Sequence, residues 1–345
     1  YFSVTLRGDR ATTRQQAMKN LVLLACLGVC HAAWHDTAPA VLASIDESSG
    51  SPGRELIMIR TFNPTDAMIE RMVRIRHECS PGREVMIAVN IPEIKDDVYT
   101  LEELQQILDN QAKLKEKLPP SSVVSYTSSE IKGAFPLMEK LELRRAGLAW
   151  NYHDEAIYLA KRKFESGYQS RTGQKWINSG LWVLEDDVDW SGNWNELLNK
   201  YSKADFVSSD LKQKTFTKQL KVKSSEKFQQ RFVLKAQNAT EGYVLVADEH
   251  VVKYSARFEI AMHQAMEDGC HAHSEYGTAT IATKLGFRVE ELDQFETWDD
   301  ESEDYRIKSW TRGDNKEGNQ RELMKKHFEA RRREGRAILF HPCKW

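Results

Sequence analysis

From residue 55 the chain changes its hydrophobic rhythm three times within about forty positions. "ELIMIRTF" (Glu55–Phe62) is a nearly unbroken apolar, β-rich run. "PTDAMIERMVRIRHEC" (Pro64–Cys79) then spaces Met68, Met72 and Ile75 three and four apart, which gathers them on one side of a helix. "EVMIAVN" (Glu84–Asn90) is a second continuous run. The pattern predicts a strand, a crossover helix and a parallel strand, and so an α/β architecture that takes ligands at the carboxyl ends of its strands.

The same reading extends along the chain. Thr100 and Glu103 form a capping-box pattern that opens an amphipathic helix running to the stop at Pro119-Pro120. "HDEAIYLAKRKFES" from His153 is a further helix, and "GLWVLEDDV" (Gly180–Val188) is the clearest central strand. A helix over "NWNELLNKY" and a short strand over "ADFVSSD" come next. Glu241–Gly269 reads as a strand, a turn and a helix beginning near Ser255, and Ala279–Leu292 as a helix feeding a strand. Residues 290–304 are acidic, and 306–336 are mostly basic with a long polar helix, the pattern of solvated faces.

Composition narrows the function classes. With 345 residues and 41% hydrophobic content the chain can fill a substantial core, and a net charge of −2 supplies no global basic field for nucleic acid. Met18-Lys19-Asn20, the apolar "LVLLACLGVC" and the small-residue exit at Cys30-His31-Ala32 follow the order of a secretory signal peptide; the alternative is a buried core helix. The expected division is residues 1–34 as upstream segment and signal with Met18 the start, 35–54 as linker, and 55–345 as the main folded domain. That implies the lumen of the secretory pathway (Golgi or ER) or secretion, with no membrane span after the signal is removed. Asn238-Ala239-Thr240 is a glycosylation sequon, and Cys79, Cys270 and Cys343 permit one disulfide whose pairing stays open.

The chemistry concentrates where the central strand ends. Leu181–Leu184 runs directly into Glu185, Asp186 and Asp187, with Asp189 close behind. Carboxylates crowded at a strand end raise one another's pKa or strain the sheet unless a cation joins them. Mn²⁺ or Mg²⁺ suits oxygen ligands and bridges protein carboxylates to substrate phosphates, which points to a diphosphate-bearing ligand. An exposed acidic turn that binds nothing is the plain alternative. His271 and His273 offer a weak zinc pattern, and Trp176, Trp182, Trp190 and Trp194 around the triplet read as packing residues.

A hydrophobic strand, "EDD", a short loop and a helix resemble the metal-binding DxD motif of GT-A fold nucleotide-sugar glycosyltransferases, in its Glu-Asp-Asp form. The resemblance implies a Rossmann-like, mostly parallel central sheet flanked by helices in one domain. It implies that Asp187 coordinates the metal, Asp186 assists and Glu185 faces the ribose. His341, after the apolar strand "AILF", would complete the metal site, and Glu275 would be the catalytic base of an inverting reaction; retention needs no such base. Arg60, Thr61 and Phe62 would lie beside base and diphosphate, with Asn90 and Asp97 at the second strand's end. The implied partners are a nucleotide-sugar donor, a UDP-sugar favoured, and a glycan or protein acceptor. Two other classes compete: a metal-dependent hydrolase or phosphatase, and a secreted sugar-nucleotide-binding protein without turnover.

Overall fold

A computed structural model describes residues 53–80, 82–93, 99–136, 153–215, 243–267, 274–292, 325–326, 328–335 and 339–340. All of them belong to the compact unit Ser49–Trp345. The signal-peptide, sequon and linker readings, apart from Gly53 and Arg54, lie outside the described residues. Among the described residues no helix is long and apolar enough to cross a membrane.

The expected opening unit forms as β1 (Arg54–Thr61), α1 (Asp66–Cys79) and β2 (Arg83–Ile91). It is followed by α2 (Leu101–Lys117), β3 (Val123–Thr127), α3 (Ser128–Ala134), α4 (His153–Thr172) and β4 (Asn178–Glu185). Then come β5 (Asp189–Trp190), α5 (Trp194–Lys200), β6 (Phe206–Thr215) and β7 (Tyr243–Ser255). The last described elements with defined bounds are α6 (Ala256–Glu267), α7 (Ser274–Lys284), β8 (Val289–Glu291) and β9 (Leu339–Phe340).

Seven strands make one sheet in the order β3-β2-β1-β4-β7-β6-β8, and β5 and β9 pair separately. β1, β2, β3 and β4 are mutually parallel, β7 is antiparallel to both β4 and β6, and β6 is parallel to β8. Only β7 therefore runs against the others. This is the expected α/β class with a mostly parallel sheet.

The continuous apolar runs are explained by helices on both faces. On one face Ile57, Ile59, Trp182 and Leu184 pack with Met68 and Met72 of α1 and Trp194 of α5. The alternating positions Leu56, Met58, Leu181 and Val183 are equally buried, and α4 and α6, which pack on β3 and β4, bring Ala160, Phe164 and Phe258 into the interior. Trp176, Trp182, Trp190 and Trp194 are all buried, which makes them core residues.

The helix ends follow local chemistry. Thr100 and Glu103 close the expected capping box. Thr127 and Glu130 close another that opens α3. Gly286 takes φ 75° after α7 and donates to Thr283, while Phe287 donates back to Ala282, the paired bonds that let α7 stop and β8 begin.

One expectation needs correction. No turn interrupts Tyr243–Ser255; β7 is continuous, and shifts of register against β6 near Ser209 and Lys212 absorb the irregular sequence. β3 and α3 are additions, in a stretch between Pro120 and His153 for which no element was expected.

Candidate active site at the carboxyl edge of the sheet

Strand order places the site. β1 lies between β2 and β4, so the connections leaving their carboxyl ends diverge, β1 through α1 to β2 and β4 through β5 and α5 to β6, which makes this pair the switch point where an α/β sheet takes ligands. β1 ends at Thr61 and β4 at Glu185, with Arg60 directly opposite Glu185 in the parallel register.

The acidic triplet is held by α1 and β1. The Thr61 hydroxyl donates to the Asp186 carboxylate, and Arg71 Nη1 donates to the Asp186 carbonyl at 2.7 Å. Burial pushes the Asp186 carboxyl up to about 7; the Thr61 bond opposes this, and the charges of Asp187 and Glu185 add to it. The upward shift expected from crowded carboxylates is present, but burial is its first cause. Asp189 plays a structural part instead, pairing with Arg71 (Nε–Oδ2 3.3 Å) and Arg74, and so clamps α1 to the turn.

Glu185 turns toward β7, where its Oε2 lies 2.6 Å from His250 Nδ1. Asp187, two residues on, is half-buried. His250 and Arg71 carry no sequence signal, because both reach the triplet only through the order of strands and the packing of α1.

At the neighbouring strand ends, the Gln111 side-chain amide donates to the carbonyls of both Phe62 (2.7 Å) and Asn90 (3.0 Å). One α2 residue thus fixes the termini of β1 and β2. The Phe62 ring stands 5.5 Å from that of Tyr99, and the Asn90 side-chain oxygen is buried with no hydrogen bond. Glu275 is the second residue of α7, though its side chain lies outside the described set. Asp97, His271, His273 and His341 are also outside it.

A second cluster was not anticipated. α4 feeds β4 and so runs against it, which puts its first turn, with His153 and Asp154, at the same carboxyl edge. β7, running the other way, brings Glu249 there. All three residues are buried, and one potential ligand atom from each lies within 4.8 Å of the others. His153 Nδ1 is 3.5 Å from Glu249 Oε2. Asp154 accepts from Tyr254 (2.9 Å) through Oδ1 and from Thr278 (2.9 Å) through Oδ2. Burial, then the charge of adjacent Glu155, push the Asp154 carboxyl up to about 7 against those bonds and the charge of Arg60. Sequence reading assigned this segment only to the start of a helix.

The donor set, one imidazole and two carboxylates, fits a divalent ion. An ion about 2.1 Å from each ligand needs ligand atoms no more than roughly 4.2 Å apart, which the 3.5 Å between His153 and Glu249 meets and the 4.8 Å limit on the whole group approaches. Among the described residues this is the group of three that converges in this way, and Asp187 is not in it.

No protein-family model and no curated protein matches the chain. Solved structures similar to part of it are glycosyltransferases. The galactosyltransferase LgtC in complex with donor and acceptor sugar analogs is 11% identical, with 68% of this chain covering 72% of that one at a TM-score of 0.30. The mannosyltransferase PcManGT from Pyrobaculum calidifontis, with GDP-Man and Mn²⁺, is 11% identical over 78% of this chain and 66% of its own, at 0.32. Core-mannan synthase A from Aspergillus fumigatus, in its Mn/GDP form, is 8% identical over 72% and 75%, at 0.29. With TM-scores this low the overlap is partial, and the chemistry is legible only in this chain's own residues.

Proposed function

We propose that the chain is a metal-dependent glycosyltransferase that moves a sugar from a nucleotide-diphosphate donor, a UDP-sugar favoured, to an acceptor hydroxyl on a glycan or protein. The observation that carries the reading is the shared carboxyl end of β1 and β4, where Arg60 lies opposite Glu185 and Thr61 bonds to Asp186. A diphosphate needs cationic neutralisation as it leaves, and an edge rich in carboxylates supplies it through a divalent ion. In this assignment Asp187 and His341 would hold Mn²⁺ or Mg²⁺, and the ion would supply Lewis-acid neutralisation of the departing diphosphate.

The chain's own residues do the rest. Thr61 and Arg71 hold Asp186 at this edge, and Arg60 offers its guanidinium to the diphosphate. Glu185 faces the ribose, with His250 restricting its orientation. Phe62, Asn90 and Asp97 are assigned to the base side, and the buried Asn90 oxygen is ready to accept a hydrogen bond there. Glu275 takes the acceptor's proton if the reaction inverts. The signal-peptide reading assigns the work to the secretory lumen or the extracellular space.

A metal-dependent hydrolase is the second reading, and the His153–Asp154–Glu249 group favours it by supplying further ligands that such an enzyme uses. Thermal shift with UDP-, GDP- and CMP-sugars, in Mn²⁺ and in EDTA, tests the donor site; product analysis with and without sugar acceptors separates the two readings. Metal-dependent stabilisation by one nucleotide class and sugar transfer to an acceptor support the transferase. Phosphate or sugar release that no acceptor diverts supports the hydrolase. A folded protein that no donor stabilises refutes the proposal.

A further inference from the structure

We infer that His153, Asp154 and Glu249 form a divalent transition-metal site separate from the acidic triplet, linking the first turn of α4 to the reversed strand β7. It shares the carboxyl edge with the proposed donor site, but its ligands and its test do not depend on glycosyl transfer.

Geometry and burial carry the inference. The three side chains come from elements distant in sequence, yet their ligand atoms lie within 4.8 Å of one another, and each residue is at most 7% exposed. His153 is 5% exposed, and neither of its ring nitrogens makes a hydrogen bond. A buried imidazole without hydrogen bonds is costly, and a coordinated ion removes that cost at Nδ1 or Nε2. Asp154 is already oriented: Tyr254 and Thr278 each donate to one of its oxygens at 2.9 Å, which leaves further lone pairs for a metal. Neutral hydroxyl donors behind a ligating carboxylate are the outer shell that fixes a ligand's direction.

The donor chemistry selects the ion class. One nitrogen and carboxylate oxygens suit Mn²⁺, Co²⁺ or Zn²⁺ better than Ca²⁺ or Mg²⁺, which favour oxygen alone. Adjacent Glu155, 1% exposed, adds negative charge to the surroundings. The α4 dipole favours Asp154 and Glu155 in the first turn, so helix and ligands are compatible before an ion arrives.

The test uses the full chain, stripped with EDTA and titrated with Co²⁺ in the absence of any nucleotide sugar. Working in an Asp187→Asn background removes the site proposed at the triplet. The expected result is uptake of about one equivalent, with a visible ligand-field spectrum and a rise in Tm, both abolished by adding His153→Gln. Glu249→Gln, checked for folding by circular dichroism, gives the same loss if the histidine variant fails to fold. Asp187→Asn protein that takes up no Co²⁺, or either folded double variant that binds as much as Asp187→Asn alone, overturns the inference. Uptake and sugar transfer are read separately, so failure of one is distinguishable from failure of the other.

Discussion

Replacing Asp186 with asparagine is expected to stabilise the metal-free protein at neutral and alkaline pH while weakening its activity. The folded-state carboxyl sits at about 7 against an ordinary 3.8, chiefly through burial. Between those values the folded state keeps a proton that the unfolded chain has released, so stability falls as pH rises through the window. Three units at about 1.36 kcal/mol each set a ceiling of about 4 kcal/mol. Solvent reaches the partly exposed side chain, and screening lowers the expected figure to about 2 kcal/mol. Asparagine keeps an oxygen that can accept the Thr61 hydroxyl bond and carries no charge at any pH. Urea denaturation of wild type and Asp186→Asn in EDTA at pH 3, 5 and 8 measures the difference. It should be near zero at the lowest pH and grow toward about 2 kcal/mol in favour of the variant at the highest. A pH-independent difference, or a wild type that is the more stable at pH 8, would refute the account of Asp186. The same substitution should reduce metal-dependent turnover, because the carboxylate that costs stability is the one assigned to assist the metal.

Further expectations follow from groups elsewhere in the fold. Burial alone would raise the Asp205 carboxyl, but bonds from Arg257, Arg288 and Ser255 outweigh it and hold the group below 3.8. Asp205→Asn should therefore cost stability at pH 7 and lose that effect as pH falls below about 4, by acid titration of both proteins. Trp194 is fully buried, and Trp194→Ala should cost about 3–5 kcal/mol in urea denaturation. Burial pushes the Cys79 thiol up to about 12, so peptide mapping should find this cysteine unalkylated in native protein and modified after denaturation.

The parts of the fold that depend on local pattern were legible in the sequence. β1, α1 and β2 announce themselves by long apolar runs around a helical spacing, and α2 by its capping box. β3 did not, because it has five residues, only Tyr126 fully buried, and passes straight into the cap of α3. An alternation signal needs more length than that. The turn expected within Glu241–Gly269 is absent because ladder pairing resumes on each side of Glu249 and His250, through Asp248 with Ser209 and Val251 with Leu184, and keeps β7 extended across these poor strand formers.

The site divides in the same way. The acids at the end of β4 could be found because strand and motif are contiguous. Their partners Arg71 and His250, the Gln111 staple and the second cluster could not, since each contact depends on which strands become neighbours.

The reversed strand acts as a ruler laid across the sheet. Its middle carries Glu249 and His250, and its last residue, Ser255, is tied through its hydroxyl to Asp205. Deleting a single residue between Val252 and Ser255 would draw that middle back by about 3.4 Å, one strand step, and turn its side chains to the opposite face. The backbone ladder could re-form without a lost hydrogen bond. His250 would nevertheless leave Glu185, and Glu249 would leave His153. Chemistry at this edge therefore depends on counting residues along β7 as much as on which residues they are.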